Sequence, residues 1–393
     1  MSSNRSDPSG AAGEYFAPCP RGLEALLAGE LGALGATDVT VVGGGVSFRG
    51  SAETCYAANF HSRIASRVLW KVAEFSYASE HDVYAAAHGV RWTELFDVGC
   101  SIRVNLTAIK SPLRSLEFAT LRIKDAVCDV FRDATGQRPN VEKLAPDVRI
   151  HAFLEEKTGA LYLDTSGEPL FKRGWRRAAV EAPLRENLAA GILMLSGWKF
   201  DEPLLDPMCG GGTLLIEAAA MALNEPPGAG RSFGFEKLAG FELKSWNRVR
   251  DGRAPRNKLR PQLFGSDIEQ RAVESARKNL MIAGFYDLVK LQRQDILKLE
   301  APAPSGVMVA NPPYGERLSD AERMAAFYPE LGHALKRNFA GWRCHFFTAD
   351  LRMAKLIRLA PSRRVPLFNG SLECRLFEYA IVAGSNRKER PGP

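Results

Sequence analysis

The sequence predicts an α/β protein: a domain wound on a mostly parallel sheet fills the second half of the chain, preceded by two smaller α+β units. From about Pro183 onward the chain repeats buried strand, tight turn and helix, the pattern of a parallel sheet covered by helices. The first 165 residues also alternate short strands and helices, but no glycine-rich loop there joins a buried strand to a helix. A length of 393 residues, with 46% apolar and 25% charged residues, fits two or three globular domains and excludes wholesale disorder, collagen and coiled coil. The expected divisions are residues 14–65, 66–167 and 168–383.

Taken in order, Glu14–Cys19, Asp38–Val42 and Val46–Arg49 read as strands, and Arg21–Leu34 as an amphipathic helix. Val68–Tyr77 and Ser101–Lys110 are extended, a helix follows Ser79, and Leu116–Ala134 is a long helix. Lys157-Thr-Gly159 lies between Arg149–Leu154 and Ala160–Asp164 as the turn of a hairpin. In the second half, Leu204-Leu205, Leu263-Phe264, Val307–Ala310 and Cys344–Thr348 are the candidate inner strands. Thr213–Leu223, Gln270–Ala283 and Arg323–Asn338 are the helices between them. Val365–Phe368 and Leu372–Val382 close as an antiparallel hairpin about Asn369-Gly370.

Fifty-two Lys and Arg against 45 Asp and Glu leave a formal charge of +7 and a pI near 9.0, which permits a polyanionic partner without requiring one. The seven cysteines are scattered, with no C-x-x-C, and read as reduced thiols in a reducing compartment. The six histidines are equally dispersed, so no metal site is expected. No run of 18 apolar residues and no N-terminal apolar h-region occur, which predicts a soluble cytoplasmic protein without a membrane partner.

Two motifs carry chemistry. Leu204-Leu-Asp206-Pro207-Met-Cys209-Gly210-Gly211-Gly212-Thr213 runs from a buried strand through three glycines into a helix. Glycines let a ligand approach the backbone, and the free N–H groups of a helix start attract an anionic carboxylate. A purely structural turn uses the same residues, but Asp206 just before it favours a ligand site. Downstream, Asp267-Ile268 ends the next strand, where a sugar's hydroxyls are commonly bound; Asp295-Ile296 ends another and could reach an adenine amino group. Either aspartate alone is equally at home as a turn cap. Asp267 follows Asp206 by 61 residues, which requires an insertion, visible as the Pro-, Gly- and Arg-rich stretch Asn224–Pro261.

The second motif is Asn311-Pro312-Pro313-Tyr314, again at the end of a buried strand. Each proline fixes its own φ and extends the residue before it, so Asn311 is held rigidly. Its side-chain oxygen and the Pro312 carbonyl can accept both hydrogens of an exocyclic amino group, turning the nitrogen lone pair toward an electrophile. They would also stabilise the positive charge that develops as that amine takes a methyl from a sulfonium. Tyr314 offers a ring on which a base can stack, worth about 1–3 kcal/mol. A Pro-Pro turn that merely closes a strand would use the same residues.

Together, Asp206–Ala219 and Asn311-Pro-Pro-Tyr-Gly-Glu-Arg-Leu318 resemble the THUMP-containing RNA guanine-N2 methyltransferases. Further matching segments are Phe171–Arg176, Ala182–Ala190 and Pro366–Cys374, so the resemblance spans nearly all of Glu14–Val382. It implies an α+β ferredoxin-like unit, a THUMP RNA-binding domain and a Rossmann-like class I methyltransferase domain. It implies S-adenosyl-L-methionine as cofactor, held by Asp206, Pro207, Cys209, Gly210, Gly211, Gly212 and Thr213, with Asp267 and Ile268 at the ribose, Asp295 and Ile296 at the adenine, and Asn311–Tyr314 catalytic. Gly211 stands where similar proteins often carry Ser, a small change if the backbone makes the contacts. Only one catalytic domain is expected, so no second methylation. The implied partner is 23S ribosomal RNA or a large-subunit assembly intermediate.

Two basic stretches fit an RNA path: Lys172–Arg185, with five basic residues against Glu181, and Lys244–Arg260, with seven against Asp251. Lys172, Arg173, Arg176, Arg248, Arg250 and Arg317 are candidate contacts, with Trp175 and Trp246 expected to stack on bases and the second stretch expected beside the active site. Charge runs are more often simply solvated faces. Asn-Pro-Pro-Tyr also serves enzymes that methylate adenine N6 in DNA or the amide of protein glutamine. A tRNA guanine-N2 enzyme and a non-catalytic RNA-binding assembly factor are competing readings of the same chain.

Overall fold

A computed structural model describes residues 12–175, 184–252, 261–313 and 318–382. They fall into two units: residues 12–19, 24–170 and 227–252 form one, and residues 20–23, 171–175, 184–226, 261–313 and 318–382 the other.

The first unit runs β1 (Gly13–Pro18), α1 (Glu24–Ala33), β2 (Thr37–Val42), β3 (Gly45–Gly50), α2 (Ala52–His61), β4 (Leu69–Ser76), α3 (Glu80–His88), β5 (Ile102–Ala108), α4 (Leu116–Thr135), β6 (Val148–Leu154) and β7 (Thr158–Asp164). Helix starts are set locally. Ser79 and Asp82 form a reciprocal capping box on α3, and Ser115 caps α4, which ends at Gly136 with φ +72°. The seven strands make one continuous sheet, ordered β2-β3-β1-β4-β7-β6-β5. The two α+β units expected from the sequence therefore share a sheet. β1 joins them, because Tyr15 pairs with Phe48 of β3 on one side and Trp70 of β4 on the other. Val83, Ile123, Val127 and Phe131 of α3 and α4, with Trp92 and Phe96 from the segment between α3 and β5, build a core with residues of β5–β7.

The second unit runs α5 (Glu186–Leu195), β8 (Leu204–Asp206) and α6 (Thr213–Ala222). The chain then returns to the first unit for α7 (Leu243–Asp251). It resumes with β9 (Leu263–Asp267), α8 (Gln270–Ala283), β10 (Val289–Arg293), β11 (Gly306–Ala310), α9 (Leu318–Asn338), β12 (Trp342–Thr348), α10 (Met353–Leu356), β13 (Arg363–Asn369) and β14 (Leu372–Ala380). The sheet order is β10-β9-β8-β11-β12-β14-β13, with the first five strands parallel and β14 antiparallel to both neighbours. The direction of winding reverses between β8 and β11, and a doubly wound sheet opens a ligand crevice at that point, beyond the carboxyl ends of its strands. The hairpin turn falls at Gly370-Ser371, one residue later than expected, because Asn369 still pairs with Leu372 and Gly370 takes the left-handed φ of +64°. Among the described residues, no helix is long and apolar enough to cross a membrane. All seven cysteines are free thiols, six of them buried.

Candidate functional site

The glycine loop leaves β8 at the reversal. Gly210 and Gly212 have φ of +52° and +80°, the left-handed region that a side chain disfavours. At Gly212 a Cβ would also press on Ala276 of α8 at 3.2 Å, whereas beside Gly210 there is open space to 4 Å. Gly212 ends the loop as the N-cap of α6 and, having no side chain, makes no side-chain cap to that helix. The positive end of the α6 dipole thus lies at the end of the glycine loop. Asp267, at the end of β9, accepts the Gly210 N–H at 3.0 Å through one oxygen and the Glu269 N–H at 3.0 Å through the other. A carboxylate has about four lone-pair sites, so both oxygens retain acceptor capacity. Asn279 of α8 donates to the Gly211 carbonyl at 3.0 Å and closes the back of the loop.

Asp206 is 2% exposed and turned into the loop, where it accepts the Met208 N–H at 3.2 Å. Burial pushes its carboxyl up to about 8, with the nearby charge of Asp267 adding to the shift. Burial likewise pushes the Cys209 thiol well above its ordinary range. Pro207 and Thr213 are buried at the two ends of the turn. Ile268 is 54% exposed and gives an apolar surface beside Asp267. Asp295 caps the short turn that follows β10 by accepting the Leu297 N–H at 3.0 Å, and Ile296 packs in the core.

β11 pairs with β8 in register Met308↔Leu205, so Asn311 leaves its strand at the same level as the glycine loop leaves the neighbouring one. Every residue of β11 is buried, and Pro312 behind Asn311 is buried as well. The Asn311 Oδ1 atom is buried and accepts no hydrogen bond from any described residue. An orphaned buried acceptor is disfavoured by about 1–3 kcal/mol unless a donor arrives, so this oxygen has the capacity to receive one. Tyr314 and Arg317 lie outside the described residues.

Residues 173–378 match the RMKL-like methyltransferase domain, residues 14–69 the RlmL ferredoxin-like domain, and residues 77–164 the THUMP domain. The chain belongs to the RMKL-like methyltransferase family. It is 39% identical over 385 residues to the ribosomal RNA large subunit methyltransferase K/L of Photobacterium profundum, covering 96% of this chain and 54% of the relative. Against the protein of the same name from Psychromonas ingrahamii it is 40% identical, covering 93% and 50%. The chain thus spans about half the length of the curated relatives it matches. The crystal structure of SMU.472 complexed with SAH superposes with a TM-score of 0.86 at 30% identity, covering 96% of this chain and all of that one.

Within this RMKL-like chain the expected RNA contacts lie in different settings. Arg173 is buried against Glu217 of α6, at 3.4 Å, which ties the segment before α5 to the catalytic core. Lys172 is exposed, and Arg176 lies outside the described residues. Arg248 pairs with Glu53 of α2, and Arg250 with Asp251 at 3.1 Å, both at the surface. The stacking expected of Trp175 and Trp246 is corrected: each is only 7% exposed. Trp246 projects from α7 into an aromatic cluster, with ring centroids 5.3 Å from Phe60 and from Phe235 and 5.6 Å from Phe233. The insertion read as lying beside the active site therefore folds, over residues 227–252, into the first unit. A run of basic residues with one Trp gave a nucleic-acid reading, whereas the Phe233, Phe235, Phe241 and Trp246 spacing was the signal of burial.

Proposed function

We propose that this chain transfers a methyl group from S-adenosyl-L-methionine to the exocyclic N2 amino group of a guanine in 23S ribosomal RNA, free or within an assembling large subunit. The observation that carries the reading is the buried Oδ1 of Asn311, at the level of the glycine loop and without a hydrogen-bond partner among the described residues. Family membership and the names of the two curated relatives favour ribosomal RNA, and the SAH held by SMU.472 favours the donor. On this reading the chain works in the cytoplasm.

The residues present fit the donor. The positive start of α6 after its glycine cap suits a carboxylate, Gly210 leaves the approach open, and Asp267 has lone pairs left for ribose hydroxyls. Ile268 would supply apolar surface for the adenine, and Asp295 would offer an acceptor for its amino group. When bound, S-adenosylmethionine supplies an electrophilic methyl carbon on a positively charged sulfur. The chain's part is positioning. Asn311 Oδ1 and the Pro312 carbonyl take one hydrogen each from the guanine amine, which frees its lone pair from the ring and aims it along the line of attack. The two dipoles also offset the positive charge on nitrogen as the N–C bond forms and the C–S bond breaks, and the amine then releases a proton. Tyr314, next in the motif, provides the face on which the guanine stacks.

Incubation with methyl-labelled donor and, separately, deproteinised large-subunit RNA, tRNA, DNA and protein tests the reading. Label recovered as N2-methylguanosine from the ribosomal RNA is the expected result. Label in an adenine, in a protein amide or in tRNA alone would overturn it.

A further inference from the structure

Four residues near the start of the chain, Pro20-Arg21-Gly22-Leu23, fold with the catalytic unit although the chain on both sides of them belongs to the other. Three fits fix them there. Leu23 is fully buried and fills the notch left by Gly191 of α5, where a Cβ would come within 2.3 Å of it. Gly22 has φ +93°, and a Cβ there would lie 2.5 Å from the Pro366 carbonyl of β13, so only glycine allows this approach. Arg21 is exposed, with its guanidinium 4.1 Å from the centroid of the Phe368 ring. No carboxylate pairs with Arg21 among the described residues, although the surface is rich in Arg–carboxylate pairs elsewhere.

The position of this cation follows from the sheet register. The last residue of β12, Thr348, pairs with Arg375, and β14 begins three residues further out, at Leu372. The β13–β14 hairpin thus projects about 10 Å past the end of β12, on the carboxyl side where Asn311 and the glycine loop sit. Phe368 pairs with Glu373 in the projecting part. Two strands, β12 and β14, separate β11 from β13, placing Arg21 about 14 Å to the side of the Asn311 strand. Together with the projection of the hairpin, that span amounts to a few nucleotides of an RNA strand. A guanidinium stacked on a ring keeps its N–H edge free and loses little entropy on binding, a combination suited to a phosphate.

We infer that Arg21, braced on Phe368, is a positioning residue that grips a backbone phosphate of the substrate RNA a few nucleotides from the target base. The site adds a phosphate contact on the catalytic unit to any RNA contacts of the THUMP-bearing unit. This inference rests on the RNA-methylating function proposed above.

The test uses the full chain with deproteinised large-subunit RNA, comparing the unaltered protein with Arg21→Ala and Arg21→Lys. Arg21→Ala should raise KM for RNA about 5- to 10-fold at low salt and leave kcat within twofold. It should also flatten the plot of log affinity against log salt by about 0.7–0.9, the release expected for one phosphate contact. Arg21→Lys should restore the salt slope and most of KM, since it keeps the charge. Donor affinity and thermal unfolding should be unchanged in both. If the unaltered protein methylates RNA while Arg21→Ala keeps its KM and salt slope, this inference fails and the functional reading stands. A shift in thermal unfolding with an unmoved salt slope would make Arg21 a structural clasp and overturn it as well. If the unaltered protein leaves RNA unmethylated, the functional reading fails and this inference goes with it.

Discussion

In the proposed mechanism Asn311 offers one oxygen to the reaction, and its surroundings define what removing it should do. Its neighbours Ala310 and Pro312 are buried and locally fixed, so Asn311→Ala should leave the fold and the glycine loop intact. Methyl transfer should then fall about 10²- to 10³-fold in kcat, as for the loss of one preorganised polar group, with donor affinity nearly unchanged. Single-turnover rates together with calorimetry of donor binding separate the two, and a near-normal rate would remove Asn311 from the mechanism. Asp267 should behave in the opposite way. It holds the Gly210 N–H as well as offering acceptors to a ribose, so Asp267→Ala should weaken donor binding by about 1.5–3 kcal/mol or somewhat more as the loop loosens. Unchanged donor affinity would count against that role. Asp206 gives a pH signature. In the folded chain its carboxyl keeps a proton up to about pH 8, whereas an exposed aspartate loses it near 3.8. The folded state thus holds a proton that the unfolded state has released, and this group's contribution to stability falls as pH rises from about 4 to about 8. Asp206→Asn cannot ionise and should lose less stability than the unaltered protein between pH 5 and 8; parallel denaturant-unfolding curves across that range would mean the carboxylate is ionised throughout.

At the scale of elements, what could be read from the sequence was what local chemistry dictates. The β8–glycine loop–α6 unit and the β11–Asn311 junction were legible because glycine and proline restrict φ wherever they stand, and α3 and α4 because their serine caps act within a single turn. Helix α2 was missed: Ala-Glu-Thr-Cys-Tyr-Ala-Ala-Asn-Phe-His lacks a clear apolar stripe, since both Tyr56 and Asn59 are buried by later parts of the chain. Besides the Cys55 carbonyl one turn back, the Asn59 side chain is satisfied by Thr165 and Ser166, more than 100 residues away. The single sheet of the first unit was hidden for the same reason. Pairing of β1 with β4 joins strands some 50 residues apart, and nothing local to either fixes its partner. Asp295 shows the limit within the site, since its side chain caps a turn and a cap is what any aspartate at that position suggests. Packing at Gly212 makes a prediction at this scale. With φ of +80° and Ala276 at 3.2 Å from a notional Cβ, Gly212→Val should separate α6 from α8 and weaken donor binding at least tenfold. Isothermal titration decides it, and retained affinity would show that the helix start does not hold the donor.

At the scale of the whole molecule, sequence order and folding unit do not coincide. Residues 20–23 leave the first unit for the second, and residues 227–252 leave the second for the first. A division of labour, in which the first unit chooses the RNA and the second methylates it, therefore cannot be tested by cutting near Phe171. Such a fragment would lack Leu23, which fills the notch at Gly191, and would carry Phe233, Phe235 and Trp246 without the α2 side chains they pack against. The full chain with Trp246→Ala provides a cleaner test. Truncating a buried tryptophan costs about 3–5 kcal/mol, and here the loss falls on an aromatic cluster that belongs wholly to the first unit. The donor loop, Asp267 and Asn311 all belong to the second unit. Trp246→Ala should therefore lower the unfolding temperature of one transition and weaken RNA binding at 37 °C, while donor affinity at 20 °C stays within about twofold. Calorimetric unfolding and binding titrations of the two proteins measure all three quantities. Equal losses of donor and RNA affinity would mean that the units act as a single cooperative body, and unchanged RNA affinity alongside a destabilised first unit would mean that the RNA is chosen elsewhere.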